Sequence, residues 1–179
     1  MTSIRVLRSA DLSQADLDLM RRLFDEAWRD EGFTDEDWEH AFPGVHFIVG
    51  DEGEVRSHAA VVERELHVAG RPLRTGYVEN VATRAAEQRR GLGSGVMTVA
   101  GEHIRANFEL GALGTGEFGF YQRLGWERWR GPTSVRGPNG EQRTPDEDGY
   151  VMILRTASTP DDLDLEAPIS CDWRPGDVW

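Results

Sequence analysis

Residues 77–107 read as a β-strand that runs into Gln88-Arg89-Arg90-Gly91-Leu92-Gly93-Ser94-Gly95 and leaves it as a helix. A strand that feeds a helix through so short a loop calls for a sheet with a helical layer against it. Glycine lets the backbone come close to a ligand, and the first amides of the helix have no partner within it. Those N–H groups, the positive end of the helix dipole and two arginines together make an anion site. The spacing fits neither a Walker loop, which ends in GK[ST], nor a GxGxxG dinucleotide fingerprint. A glycine-rich turn with solvent-facing arginines would show the same residues.

The rest of the chain fits a layered α+β (α/β layered) domain, with strands and helices mixed and a long central run of strands. Ile4–Leu7 reads as an opening strand, and Leu17, Met20, Leu23, Phe24, Ala27 and Trp28 give helical spacing over about 14–29. Thr34 ahead of Asp35, Glu36 and Asp37 is an N-cap signature for a short helix ending near Pro43. Residues 45–49, 56–68 and 73–83 read as strands, the first two parted by Asp51-Glu52-Gly53. After the helix come a strand over 109–114, a short helix through Phe118, Tyr121 and Leu124, and closing strands over 126–135 and 150–154. From Ala157 the chain is acidic, yet it ends in CDWRPGDVW, and two tryptophans in seven residues predict a tail that packs back. The expectation is one domain over 1–179, with 157–179 returning to the substrate site.

The formal charge is −12, which argues against nucleic acid or an anionic membrane as a partner of the bulk surface. Its distribution is uneven: 14 acids and 5 arginines in 1–54, 8 and 12 in 55–140, and 10 and 3 in 141–179. A basic centre between acidic ends suits an anionic ligand on the middle and a cationic one held by the flanks, although acidic ends can also simply solubilise. Every basic residue is arginine, whose planar fork suits phosphate. No apolar run is long enough to span a bilayer, the first residues lack a signal-peptide core, and a single cysteine, Cys171, agrees with a reducing cytosol. The expected location is cytoplasmic. His40, His46, His58, His67 and His103 show no metal-ligand spacing, so no metal is expected.

With these residues in view, the chain resembles the GNAT superfamily of acetyl-CoA-dependent N-acetyltransferases, whose pyrophosphate loop reads Q/R-x-x-G-x-G/A. Thr34-Asp35-Glu36-Asp37-Trp38-Glu39-His40, Tyr77-Val78-Glu79-Asn80-Val81, Gly131-Pro132-Thr133-Ser134-Val135 and the terminal CDWRPGDVW are similar to aminoglycoside 2′-N-acetyltransferases, in the same order along nearly the whole chain. The resemblance implies the GNAT fold: a mixed central sheet with two splayed parallel strands, through Tyr77–Thr83 and Leu110–Thr115, flanked by helices. It implies acetyl-CoA as cosubstrate, with the amides of Gln88, Arg89, Arg90, Gly91, Leu92 and Gly93 on the pyrophosphate and the backbone of Val81 and Thr83 on the pantetheine arm. The Val81 N–H would face the thioester carbonyl, where charge grows during attack. Glu79 matches the carboxylate near the acceptor amine, acting as base through water. Tyr121 matches the tyrosine facing the sulfur, where a hydroxyl protonates the departing thiolate. On residues alone, Glu79 is equally a strand-surface glutamate or an electrostatic anchor, and Tyr121 a ring packed on Trp126.

The implied acceptor is a small polyamine, an aminoglycoside, held by Asp37, Glu79, Asn80, Gly114, Asp177 and Trp179 with its free α-carboxylate. Glu147 is the preferred acid of 146–148, with Asp148 second. Attack is direct, with Cys171 a buried structural thiol rather than an acyl carrier. Members of the family are commonly dimers, so the resemblance allows a homodimer. Two departures bear on substrate breadth. Relatives can carry an acid five residues before Asp37, where this chain has Gly32 after Asp30 and Glu31; and Gly114–Phe120 reads GTGEFGF where relatives are serine-rich and longer. The rival readings are an acetyltransferase for another cationic amine, such as a cell-wall amino sugar, and a non-catalytic module that binds aminoglycosides or acyl-CoA.

Overall fold

The computed structural model describes residues 3–30, 32–51 and 53–179; Met1, Thr2, Glu31 and Glu52, which enter the readings above, lie outside the described residues. The chain clusters into two compact units, Met1–Val62 with Val78–Glu102, and Glu63–Tyr77 with His103–Trp179.

The first unit starts with β1 (Ile4–Arg8) antiparallel to β2 (Gly44–Gly50), from Ile4 opposite Val49 to Arg8 opposite Val45. Strand β2 pairs in turn with the first part of β3 (Val55–Val68), from Gly44 opposite Val62 to Gly50 opposite Val55. Helix α1 (Gln14–Ala27) begins at a capping box in which Ser13 and Asp16 satisfy each other's backbone N–H. Its buried face, Leu19, Met20, Leu23 and Phe24, packs with Ile48, Val55 and Ala82. Helix α2 (Asp35–Glu39) carries a second capping box, made by Thr34 and Asp37. Around Phe24 the rings of Trp28, Phe33, Trp38 and His58 gather, with centroids 5.0–5.9 Å away. Short α2 is thus held by aromatic packing, since five residues cannot sustain a helix by themselves. The second part of β4 (Arg71–Thr83) and helix α3 (Leu92–Asn107), which begins in this unit, complete the first unit's elements.

In the second unit β5 (Leu110–Gly114) lies parallel to β4, with Thr75, Gly76 and Tyr77 opposite Leu110, Gly111 and Ala112. The close approach of α3 to this pair needs glycine: a Cβ at Gly76 would lie 2.9 Å from Ile104 of the helix and 2.8 Å from the ring of Phe108, the residue after it. Helix α4 (Phe118–Gln122) leads to β6 (Glu127–Arg128), and both β6 and β5 pair antiparallel with β9 (Val151–Arg155). Strand β10 (Ile169–Asp172) is antiparallel to the end of β3 and parallel to β7 (Thr133–Gly137), which forms a hairpin with β8 (Gly140–Arg143). The strand expected over 126–135 is therefore two, β6 and β7. It breaks where Pro132 has no N–H to give and where buried Gly131 passes under the carbonyl of Ala167. Strands β8 and β10 were not among the expected elements.

Candidate active site

Strand β4 changes character after Val78. Glu79, Asn80 and Val81 are all half-buried in place of the usual alternation, and Asn80 takes a left-handed φ of 50°. That conformation is uncommon for any residue other than glycine, asparagine being among the least penalised. Two bonds hold it: His58 Nδ1 lies 2.7 Å from the Asn80 carbonyl, and Asn80 Nδ2 donates to the Asp37 carbonyl at 3.0 Å. Asn80 is therefore tied to α2, the helix that carries Asp37. Asp37 Oδ2 accepts from both the N–H and the hydroxyl of Thr34 at 2.8 Å, so one carboxylate oxygen caps its own helix. Gly32, where relatives can place an acid, has φ 80° with open space around it, a conformation that disfavours any side chain.

Beyond Val81 the backbone enters the arginine–glycine loop. Thr83 Oγ1 shares a hydrogen bond with buried Ser57 at 2.8 Å, and Gln88 Nε2 donates to the Thr83 carbonyl at 3.3 Å. Arg89 and Gly91 both have positive φ, 62° and 84°. These reversals fold the loop over the start of α3, where the helical ladder opens with the Gly95 N–H on the Gly91 carbonyl at 2.9 Å. A Cβ at Gly91 would meet nothing within 4 Å, so the backbone there is open on that side. Arg90 pairs with Glu87 at 2.8 Å, while Arg89 is exposed.

In the second unit Tyr121 is buried near the end of α4, its ring edge-on to Phe120 and Trp126. Burial first, and then the charge of Glu117, pushes its phenol well above the usual tyrosine value. The hydroxyl therefore carries its proton at neutral pH and can serve as donor or acid, never as resting base. Trp179 is also buried: its indole N–H donates to Thr144 Oγ1 at 3.0 Å and its backbone N–H to Asp177 Oδ1 at 3.1 Å. A side chain at Gly114 would begin 3.6 Å from the Tyr77 hydroxyl and 3.7 Å from the Trp179 carboxyl carbon. The glycine thus leaves space beside Trp179 that a serine would fill.

The acids of 146–148 separate by role. Asp148 Oδ1 accepts from the Thr133 N–H and hydroxyl at 2.8 and 2.9 Å, and its Oδ2 pairs with Arg143 at 2.7 Å, so this carboxylate braces the β7–β8 hairpin. Glu147 is half-buried, and its carboxyl is pushed up from the usual range by burial first, then by the negative charges of Asp177 and Asp146. A cation placed beside Glu147 and Asp177 would relieve that repulsion.

Arg64, which sequence reading passed over, helps to fix this region. Arg64 is buried; it donates to Asp172 Oδ1 at 3.0 Å and to the Asp172 carbonyl at 2.7 Å, pinning β10. Its guanidinium lies 4.7 Å from the Tyr77 ring centroid, and that of Arg174 5.6 Å. Arg174 also donates to the Asp177 carbonyl at 2.7 Å. Cys171 Sγ donates to the Val178 carbonyl at 3.2 Å, and burial pushes its thiol up to about 11. Among the described residues no group of three or more histidines, cysteines, aspartates or glutamates is placed to hold a metal, and no helix is long and apolar enough to cross a membrane.

A family profile described as an acetyltransferase (GNAT) domain matches residues 8–129. The chain belongs to the GNAT acetyltransferase family. Over 178 residues, 98% of this chain and 91% of the relative, it is 40% identical to an aminoglycoside 2′-N-acetyltransferase of Mycolicibacterium fortuitum. A GNAT family acetyltransferase from Brucella melitensis, solved in complex with acetyl-CoA, superposes with a TM-score of 0.60 at 16% identity, over 92% of this chain and 95% of that one. A GCN5-related N-acetyltransferase from Kribbella flavida gives 0.57 at 22% identity over 73% of this chain, which spans only 34% of that longer one. These two likenesses concern the GNAT fold. The left-handed backbone at Arg89 and Gly91, the open space at the Cβ position of Gly91 and the unpaired first amides of α3 have the chemistry that a pyrophosphate needs.

Proposed function

We propose that this GNAT enzyme transfers acetyl from acetyl-CoA to the 2′-amine of aminoglycosides, which would give the cell resistance to them. The observation that carries this reading is the 40% identity over 98% of the chain to an enzyme of that name. Bound acetyl-CoA supplies an activated thioester; everything else falls to the protein's own groups. Amides of Gln88, Arg89, Arg90, Gly91, Leu92 and Gly93 hold the pyrophosphate, and the backbone of Val81 and Thr83 lines the pantetheine. The Val81 N–H faces the acyl oxygen and stabilises charge that builds there. Glu79 takes the proton of the acceptor ammonium through water, and protonated Tyr121 meets the leaving thiolate. Glu147, Asp177 and Asp37 supply negative charge for a polyamine, and Trp179, Asn80 and Gly114 line its path. Asp148 serves this site indirectly, by bracing the hairpin beneath Thr144. Residues 1–179 act together as one acetyltransferase in the cytosol, as a monomer or homodimer, with 157–179 forming a wall of the acceptor site and no metal required.

The test is thiol release from acetyl-CoA across a panel of aminoglycosides with and without a 2′-amine, with the position of the new amide read from the product. Release confined to 2′-amino compounds is expected. Equal rates on both groups would overturn the 2′ assignment, and tight binding without release would favour a sequestering module. Trp179→Ala, which removes the indole held by Thr144, should raise the aminoglycoside KM on the order of tenfold or more while CoA affinity stays within about threefold. Equal loss of both affinities would instead make Trp179 a folding residue.

A further inference from the structure

Three side chains stand in file behind the left-handed turn of β4. Ser9 Oγ lies 2.9 Å from His46 Nε2, His46 Nδ1 lies 3.0 Å from His58 Nε2, and His58 Nδ1 lies 2.7 Å from the Asn80 carbonyl. Both imidazoles are fully buried, and neither enters the chemistry described above. A carbonyl only accepts, so His58 Nδ1 must carry a proton. In the neutral ring His58 Nε2 then accepts from His46 Nδ1–H, and His46 Nε2, 2.9 Å away, takes the Ser9 hydroxyl proton in preference to the Gly44 carbonyl at 3.2 Å. Ser9 Oγ in turn accepts from the Gly44 N–H at 2.8 Å. With both rings neutral every donor meets an acceptor, and the bonds all run one way, toward Asn80. Burial holds both imidazoles well below the ordinary range, in keeping with the neutral pair.

The end of this file is a peptide group that matters. The Asn80 carbonyl and the Val81 N–H belong to one planar trans peptide and point in opposite directions. Fixing the oxygen therefore aims the N–H. Asn80 at φ 50° sits in a sparsely populated region that persists only where its surroundings hold it, and the bond from His58 and the Asn80 Nδ2 bond to the Asp37 carbonyl supply that hold together. The aromatic surroundings, Phe24 5.0 Å from the His58 ring and Phe42 5.0 Å from that of His46, leave the pair little room to turn.

We propose that His58, kept in one tautomer by His46 and Ser9, is a positioning residue for acetyl transfer: it holds the Asn80 carbonyl and thereby aims the Val81 N–H at the acyl oxygen. This rests on the assignment of Val81 given under the proposed function. The test compares wild type, His58→Phe, which fills space without a donor, and His58→Asn, whose Nδ2 stands where Nδ1 stood. Rates with acetyl-CoA and a 2′-amino aminoglycoside are measured beside the amide resonance of Val81. His58→Phe should lose kcat on the order of 10²-fold with both KM values within about threefold, because the missing help acts only as charge develops. The Val81 resonance should move as well, and His58→Asn should restore both. Unchanged kcat in folded His58→Phe, or equal losses in the two variants, would overturn the proposal. Should His58→Phe fail to fold, Ser9→Ala decides: it frees the far end of the file and must lower kcat severalfold at constant KM, and an unaltered kcat overturns the proposal. A wild type that acetylates no aminoglycoside would sink the activity reading instead, and the Val81 resonance in His58→Phe and His58→Asn would then judge the positioning by itself.

Discussion

Glu79→Gln is expected to lower kcat/KM for the aminoglycoside by about 10²–10⁴-fold, the usual contribution of a positioned acid or base, while leaving CoA affinity unchanged. The substitution keeps the shape of a half-buried side chain on β4 and removes both its negative charge and its capacity to take a proton. The division of the loss between constants separates the two roles open to Glu79. A base acts as the amine attacks, so kcat falls; an electrostatic anchor for a polycation holds substrate and transition state alike, so KM rises at constant kcat. Either outcome is measured by initial rates over an aminoglycoside titration at saturating acetyl-CoA. A loss confined to KM would remove Glu79 from the chemistry and leave it among the acids of the acceptor site.

The second large effect concerns folding. A Cβ at Gly131 would stand 1.9 Å from the Ala167 carbonyl oxygen and 2.6 Å from that of Glu166, both backbone atoms with no rotamer to escape into. The same crossing carries the Trp129 indole bond to the Ala167 carbonyl at 3.0 Å and the Ile169 N–H on the Pro132 carbonyl at 3.0 Å. Gly131→Ala must separate the two chain segments and with them the parallel junction of β7 and β10. We expect a loss on the order of 3 kcal/mol or more, seen as a fall of roughly 6–12 °C in Tm for a chain of this size. Gly116→Ala is the control: no atom lies within 4 Å of its Cβ, and its φ is not reversed. Its Tm should stay close to that of wild type. Equal melting of the two variants would show that the crossing yields more easily than its backbone contacts suggest.

These sites differ in how far the sequence alone revealed them. The arginine–glycine loop and the Thr34 cap are local: their chemistry lies within a few consecutive residues, and the structure has both where spacing put them. Strand β8, Gly140–Arg143, has no apolar alternation to betray it, since all four residues are exposed and its place is set by the turn from Gly137. Strand β10 exists because β3 and β7 offer their edges to it, a fact written some thirty to a hundred residues away. Asn80 illustrates the same limit within the candidate site. Its identity marks it as a substrate contact by family resemblance, but its reversed φ depends on a histidine 22 positions upstream and a helix 43 positions upstream. The acids of 146–148 look alike in sequence; only the partners Thr133 and Arg143 distinguish the brace Asp148 from its neighbour Glu147.

The sealed thiol of Cys171 has a meaning for a protein whose proposed reaction liberates a sulfhydryl product at every turnover. Coenzyme A set free beside an accessible cysteine can be captured as a mixed disulfide once the surroundings turn oxidising, and such capture proceeds through the thiolate. Here the chain's one cysteine is buried, donates its hydrogen to the Val178 carbonyl and holds its proton up to about 11. In this fold the protein offers its own product no partner for that trap, and oxidants no thiolate through which to join two copies covalently.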